Sequence, residues 1–212
     1  MRGLIYDYAV RPMTKEWYRQ VLSRLDAGTR LLDVGIGTGG ALLANKDLIL
    51  ERNIKVTGVD IDERYVQRCE RNIRKAGLSH QIQVLLQSVT QHREKGYDAV
   101  YFSASYMLME RPSDVLRHVS QLIKPDGVIV FTQTFQEHRS SFMEKAKPLL
   151  YKVTTIHFGR VTYEEDFLLE AEKGGLKILA NEVLSKSWRR SERLVIGQPK
   201  SADVHRGSLV LS

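Results

Sequence analysis

The 212-residue sequence is poor in several features that would settle its class at once. It has a single cysteine, Cys69, so it can form no internal disulfide and no cysteine-rich zinc centre. A reducing compartment follows as the default, with the cytoplasm the expected location and an organellar address left open. No run of about 18 apolar residues occurs, so no membrane span is expected. The N-terminus, MRGLIYDYAVRPM, lacks the apolar segment and small-residue cleavage site of a signal peptide. The six histidines are scattered without an H-x-x-x-H spacing, and no metal site is predicted. Internal repeats and low-complexity tracts are lacking too. No block of five Lys/Arg residues accompanies the net charge of +7, so nucleic-acid binding is open but not favoured by charge alone.

A chain of this length with 42% hydrophobic residues suits one domain with a sizeable core. Apolar periodicity and stop signals resolve it into alternating elements. Trp17, Val21, Leu22 and Leu25 mark a helix over 14–27, capped by Thr14 and stopped at Gly28. RLLDV (30–34) reads as a buried strand, and 39–52 as a helix. KVTGVD (55–60) is a second strand. Asp62 caps the helix that carries Val66, Cys69 and Ile73 and ends at Gly77. Strands follow at 82–87, 98–103 and 128–134, with a helix through Val115–Ile123 before the last of them. Thr162 and Glu165 form a capping box for a helix ending at Gly174-Gly175. The segments 177–184 and 193–198 close the chain as a hairpin around SKSWRRSE.

Strand–helix alternation implies a doubly wound α/β sheet. Seven strands are expected, mostly parallel, with one antiparallel strand in the terminal hairpin, because no helix separates that pair. Residues 1–198 read as one domain. Residues 136–161 break the alternation after the fifth strand, where an insertion would cover the carboxyl ends of the strands and serve as a lid. Residues 199–212 read as a loosely held tail.

The chemistry centres on LLDVGIGTGG (31–40), where bare backbone follows a buried strand and precedes a helix. Gly35, Gly37 and Gly40 fit the G-x-G-x-x-G dinucleotide pattern; Gly35, Gly37 and Gly39 fit G-x-G-x-G. The second strand ends in Asp60, a carboxylate placed to accept both hydroxyls of a ribose. Asp33 decides between the two patterns. A carboxylate beside the loop repels a pyrophosphate and favours a cofactor with a cationic centre, which points to S-adenosylmethionine.

At these residues the chain resembles the class I S-adenosylmethionine-dependent methyltransferases. LLDVGIGTGG is similar to their first motif and VTGVDID (57–62) to their acidic second-strand motif. YDAVYFSASYML (97–108) looks like their fourth-strand segment, and LIKPDGVIVFTQT (122–134) like their turn and fifth strand. The fold the resemblance implies is a Rossmann-like doubly wound seven-stranded sheet. It places Gly35, Gly37 and Gly39 along the methionine part, with Asp33 nearby, Asp60 on the ribose and Ile61 against the adenine. Ser88 and Val89 stand where the family often has an acidic residue for the adenine amino group. Ser103 and Ala104 flank the transferred methyl, and Tyr6 could close over the cofactor, with Tyr8 beside it. The product would be S-adenosylhomocysteine.

Methyl transfer from a sulfonium needs alignment more than acid–base help, so a catalytic residue is hard to read. Tyr106, His138 and His157 are the candidates, each weighed against plain packing or surface roles. A small-molecule acceptor is the leading expectation. RNA or protein is the alternative, opposed by FSAS standing where amino-methylating nucleic-acid enzymes have N-P-P-[YF]. A non-catalytic scaffold and a nicotinamide oxidoreductase rank below. Nothing in the residues bears on oligomeric state.

Overall fold

A computed structural model describes residues 2–137 and 162–200, with side chains from residue 12 onward. The elements in chain order are α1 (Arg2–Leu22), β1 (Arg30–Val34), α2 (Gly40–Leu43), α3 (Lys46–Glu51), β2 (Lys55–Asp60), α4 (Glu63–Ala76) and β3 (Ile82–Leu86). They continue with β4 (Tyr97–Ser103), α5 (Pro112–Val119), β5 (Ile123–Gln136), α6 (Glu164–Lys173), β6 (Leu176–Lys186) and β7 (Arg190–Pro199). Short 3-10 turns lie at Val89–Gln91 and Tyr106–Leu108.

The strands form one seven-stranded sheet in the order β3-β2-β1-β4-β5-β7-β6. Pairing is parallel from β3 through β5, and β7 runs antiparallel to both β5 and β6. The expected doubly wound, Rossmann-like sheet is therefore present, and its single reversed strand is β7. Apolar residues cover both faces, as parallel strands require. One core joins Leu32, Val100 and Phe131 to Leu116 of α5 and Phe167 of α6. The other joins Leu31, Val56 and Tyr101 to Leu22 of α1, Ile49 of α3 and Ile73 of α4. The order of strands reverses between β1 and β4, so their carboxyl ends open a crevice at that point.

Several boundaries differ from the sequence-based expectation. The first helix spans Arg2–Leu22, not 14–27: it passes through Pro12 and Thr14, so Thr14 is an interior residue and not the N-cap. Gly28, with φ +80, shapes the turn into β1 and donates its N–H to the Arg52 carbonyl at 2.7 Å. The helix expected over 39–52 is broken into α2 and α3. Asn45 lies at the break, and its side-chain amide donates to the carbonyls of Lys15 and Ala41, both at 3.0 Å, in competition with the helix backbone. The α6 N-cap falls on Tyr163 and not on Thr162. The side chains of residues 2–11, the insertion over 138–161 and the tail from 201 lie outside the described residues, as do His138 and His157. No described helix is long and apolar enough to cross a membrane.

Asp62 is the α4 cap that the sequence indicates. Its carboxylate accepts from Arg64 N at 2.8 Å and Tyr65 N at 3.2 Å. Asp62→Ala is expected to lower the unfolding free energy by about 1 kcal/mol and Asp62→Asn by much less. Urea titration checks both, and equal losses would contradict the cap.

Candidate functional site

The glycine loop leaves β1 at Gly35, and its three alternating glycines serve three different ends. All have positive φ: +77 at Gly35, +60 at Gly37 and +68 at Gly39. A Cβ on Gly35 would stand 2.7 Å from the Cβ of Ser105. One on Gly39 would stand 2.7 Å from Cys69 Sγ on α4. Those two positions are bare because the protein packs against itself there. Only at Gly37 would a Cβ meet open space, with nothing within 4 Å. Gly37 is thus the glycine at which a ligand can approach the backbone.

Four amides of the loop are already engaged. Gly35 N–H donates to the Val59 carbonyl at 2.8 Å, Ile36 N–H to the same carbonyl at 3.3 Å, and Gly39 N–H to the Ile36 carbonyl at 3.1 Å. Gly37 N–H donates to Asp60 Oδ2 at 2.9 Å. A pyrophosphate site works by aiming such N–H groups at the anion. Here these four point inward, and a carboxylate takes the one at Gly37. These four amides are therefore not offered to an anion.

Asp60 closes this arrangement. Its other oxygen, Oδ1, accepts from Asp62 N at 2.9 Å. A carboxylate offers about four lone-pair sites, so each oxygen keeps one for a further donor such as a sugar hydroxyl. Ile61, next in sequence, is 78% exposed and offers an apolar surface beside that carboxylate. Gln87 N–H donates to the Asp60 carbonyl at 3.0 Å, which holds the turn after β3 against the end of β2. Ser88 begins that turn. Its hydroxyl caps the 3-10 turn through Thr90 N at 3.3 Å and bonds Thr90 Oγ1 at 2.9 Å, while the Val89 side chain is buried in the core.

Asp33 lies beneath the loop, fully buried. Its Oδ2 accepts from the Tyr18 hydroxyl of α1 at 2.8 Å, and its Oδ1 has no hydrogen-bond partner. Burial pushes its carboxyl up to about 7, with the Tyr18 hydrogen bond opposing and the Asp60 charge adding to the rise. An orphaned, buried acceptor beside the loop is a standing cost that a nearby positive charge would offset.

Across the crevice, β4 ends in Ser103, whose buried hydroxyl has no hydrogen-bond partner. Ala104 takes the left-handed conformation at φ +54, a strained choice for a residue with a Cβ, and donates its N–H to the Thr132 carbonyl at 2.9 Å. The bend turns Ser105 back onto β1, where its hydroxyl donates to the Val34 carbonyl. Ser105 thus binds the end of β4 to the glycine loop, and it was not among the residues singled out from sequence. Nor were Tyr18 and the contact of Cys69 with Gly39. A serine, a tyrosine and a cysteine carry no spacing signal that marks such pairings.

Tyr106 does not present itself as a base. It is 3% exposed and packs edge-to-face against Phe102, Phe131 and Phe167, at ring separations of 5.6, 5.1 and 5.6 Å. Burial raises its phenol further above the ordinary range, so it stays protonated. The packing role weighed for it is the one the geometry supports. Asp33, Gly37, Asp60, Ile61, Ser103 and Ala104 are brought to the carboxyl ends of β1, β2 and β4. Tyr6, His138 and His157 cannot be placed with them, since they fall outside the described side chains.

Comparison with known proteins agrees with this geometry. A family model described as "Methyltransferase domain" matches residues 25–173, and the chain belongs to that family. The ubiquinone biosynthesis O-methyltransferase of Bordetella avium is 25% identical over 158 residues, covering 74% of this chain and 63% of that relative. The chain thus spans less than two thirds of that relative's length. Among solved structures, the [4+2]-cyclase SpnF superimposes with a TM-score of 0.71 at 18% identity, over 88% of this chain and 81% of that one. A methyltransferase from Thiobacillus denitrificans, solved with S-adenosylhomocysteine, gives 0.67 at 14% identity, over 92% and 96%. At such identities these structures establish the shared fold.

Two measurements check the site. A folded-state pKa of about 7 for Asp33, against 3.8 unfolded, means the folded protein holds a proton that the unfolded chain has released. Stability should therefore fall as pH rises from about 4 to about 7 and level off above. Asp33→Asn should remove that slope and exceed the parent by roughly 2–4 kcal/mol above neutrality; an unchanged slope would show that Asp33 ionises normally. Gly39→Ala should cost more than the ~1–2 kcal/mol of left-handed strain. In a Cys69→Ala background its cost should drop towards that strain alone, and a purely additive cycle would contradict the Sγ contact.

Proposed function

We propose that the protein is an S-adenosylmethionine-dependent methyltransferase acting on a small molecule. One observation carries the reading. The glycine loop turns four of its amides inward and is flanked by two acidic side chains, one of them buried with an orphaned oxygen. That environment opposes a pyrophosphate and suits a cofactor with a ribose and cationic groups.

Asp60 holds the ribose hydroxyls, Ile61 lies against the adenine, and Ser88 with the backbone of Val89 serves the adenine edge. Gly37 admits the amino-acid part, while Gly35 and Gly39 fold the loop around it and Asp33 favours its positive charge. Ser103 and Ala104 line the crevice beside the transferred group, and Tyr6 on α1 covers it. When bound, S-adenosylmethionine supplies an electrophilic methyl for in-line displacement. The chain's own work is to orient the two reactants and to keep water out. If the acceptor must lose a proton, His138 or His157 of the insertion would take it. The insertion over 136–161 forms the lid of the single domain, and 199–212 its tail. Relatives named for ubiquinone biosynthesis and for sterol C-methylation support a small-molecule acceptor over RNA or protein. With one cysteine, a reducing cytoplasm is the compartment we assign.

Asp60→Ala is expected to weaken S-adenosylhomocysteine binding about a hundredfold, the scale of two charge-assisted hydrogen bonds lost. Gly37→Val should weaken it at least as much, with a lower melting temperature as well, since a β-branched residue is strained at the left-handed φ of +60 there. Calorimetric titration checks both variants, with circular dichroism as the control for fold. Unchanged affinity in a folded Asp60→Ala variant would remove the ribose assignment.

A further inference from the structure

Among the described residues, Tyr18 is the one hydrogen-bond donor that reaches Asp33. It sits on α1, is 3% exposed, and donates its hydroxyl to Asp33 Oδ2 at 2.8 Å. Its ring meets Tyr101 of β4 edge-to-face at 5.0 Å, and that packing fixes the ring that carries the hydroxyl. Burial and the nearby Asp33 hold the phenol well above its ordinary range, so it remains a donor across the neutral pH range. With Oδ2 taken by the phenol, the proton of the neutral acid falls to Oδ1, the oxygen without a partner. Tyr18 therefore decides which oxygen of Asp33 can gain or lose a proton.

The groups that act on this carboxyl bracket the glycine loop. Asp60 of β2 acts on it by charge, and the same Asp60 holds the Gly37 N–H. Cys69 of α4 is within electrostatic reach of Asp33, and its sulfur lies where a Cβ on Gly39 would press. Tyr101 of β4 is within reach as well, but its hydroxyl is shared with Thr132 at 2.7 Å. Each of these neighbours is itself an acid. Burial and the Asp60 charge both favour the neutral form of Asp33, and the hydrogen bond from Tyr18 opposes them. A positive charge arriving at the loop would act on the same side as Tyr18.

We propose that Tyr18 is a positioning residue of the donor site: through Asp33 it couples binding of a ligand ammonium at the glycine loop to release of one proton. The inference rests on the methyltransferase reading and adds a proton linkage to its cofactor site. Tyr18 and Asp33 are both buried, so they act through the loop and need not touch the ligand. The bond that breaks is the O–H on Asp33 Oδ1. Its proton leaves to solvent, the ammonium keeps its own protons, and the new carboxylate accepts more strongly from the phenol. Binding thereby tightens the tie between β1 and α1.

The test titrates the full chain with S-adenosylhomocysteine, which carries an ammonium, and with methylthioadenosine, which has the adenosyl thioether without the amino-acid part. The free carboxyl titrates at about 7, so ionising it opposes binding increasingly as pH falls below that value. S-adenosylhomocysteine affinity should therefore rise at least about tenfold from roughly pH 5 to roughly pH 8 and level off above. Calorimetry in buffers of different ionisation enthalpy should show up to one proton released per ligand within that window. Methylthioadenosine should show neither effect, and Asp33→Asn should abolish both for S-adenosylhomocysteine.

Tyr18→Phe should move the midpoint of the rise to higher pH, weakening S-adenosylhomocysteine near neutrality and restoring it as pH increases. A merely structural loss would weaken both ligands by the same factor at every pH. Should Tyr18→Phe not fold, a fluorinated tyrosine in place of Tyr18, a stronger donor of nearly the same shape, should move the midpoint to lower pH. The inference is overturned if the two ligands have parallel pH profiles, if S-adenosylhomocysteine affinity falls with rising pH, if the rise survives in Asp33→Asn, or if altering Tyr18 leaves the midpoint in place. Any of these with both ligands bound sinks the proton coupling alone, whereas failure of both to bind at every pH sinks the methyltransferase reading itself.

Discussion

The buried carboxyl group of Asp33 is the constraint around which the site is arranged. It closes an otherwise apolar strand, is shut off from water, and receives a single hydrogen bond, from Tyr18. Tyr18 in turn meets Tyr101 edge-to-face at 5.0 Å, so the same phenol that satisfies Asp33 also seats α1 on the sheet. A second tie, from Trp17 Nε1 to Glu192 at 3.2 Å, fixes the helix to β7. Burial of an acid with one oxygen unpaired opposes folding, and the surrounding packing must offset it. That cost is intelligible if the group's purpose is electrostatic: a cationic ligand beside the loop would favour its ionised form, whereas an anion would meet a neutral acid or a repelling carboxylate.

The loop itself is rigid for reasons internal to the protein. Val59 O, Ile36 O and Asp60 Oδ2 receive its amides, Ser105 presses on Gly35, and Cys69 presses on Gly39. Positive φ at three alternating residues is then tolerable only for glycine. Asp60 joins this scaffold to the binding surface, since the same carboxylate that fixes Gly37 retains acceptor capacity toward the crevice. The strained Ala104 completes the opposite wall and directs Ser105 back to β1. Cofactor recognition and loop geometry are therefore one hydrogen-bonded unit and not two separable features.

The sheet was legible from hydrophobic periodicity, because buried parallel strands such as RLLDV and KVTGVD have few alternatives and their glycine and proline punctuation is strong. The single antiparallel strand followed from a hairpin too short to hold a crossover. The Asp62 cap was legible for a similar reason: a short acceptor stands just ahead of an amphipathic run. Helix ends that depend on tertiary contacts were not. Asn45 breaks a helix by bonding to Lys15, 30 residues away in sequence. Pro12 is carried inside α1, where local propensity would put it at an end. At the site, Asp33, Gly37 and Asp60 stood out by residue type and position. The distinct tasks of Gly35 and Gly39 did not, since they depend on Ser105 and Cys69.

The central claim is that this loop admits an adenosyl cofactor with a cationic amino-acid part and rejects a dinucleotide. Titration of the wild-type chain with S-adenosylmethionine, S-adenosylhomocysteine and NAD, under one set of conditions by calorimetry, tests it most directly. The account predicts binding of both adenosyl sulfur compounds and none of NAD. Binding of NAD alone would mean that the Asp33 carboxyl does not govern what the loop accepts, and the methyltransferase account would fail with it.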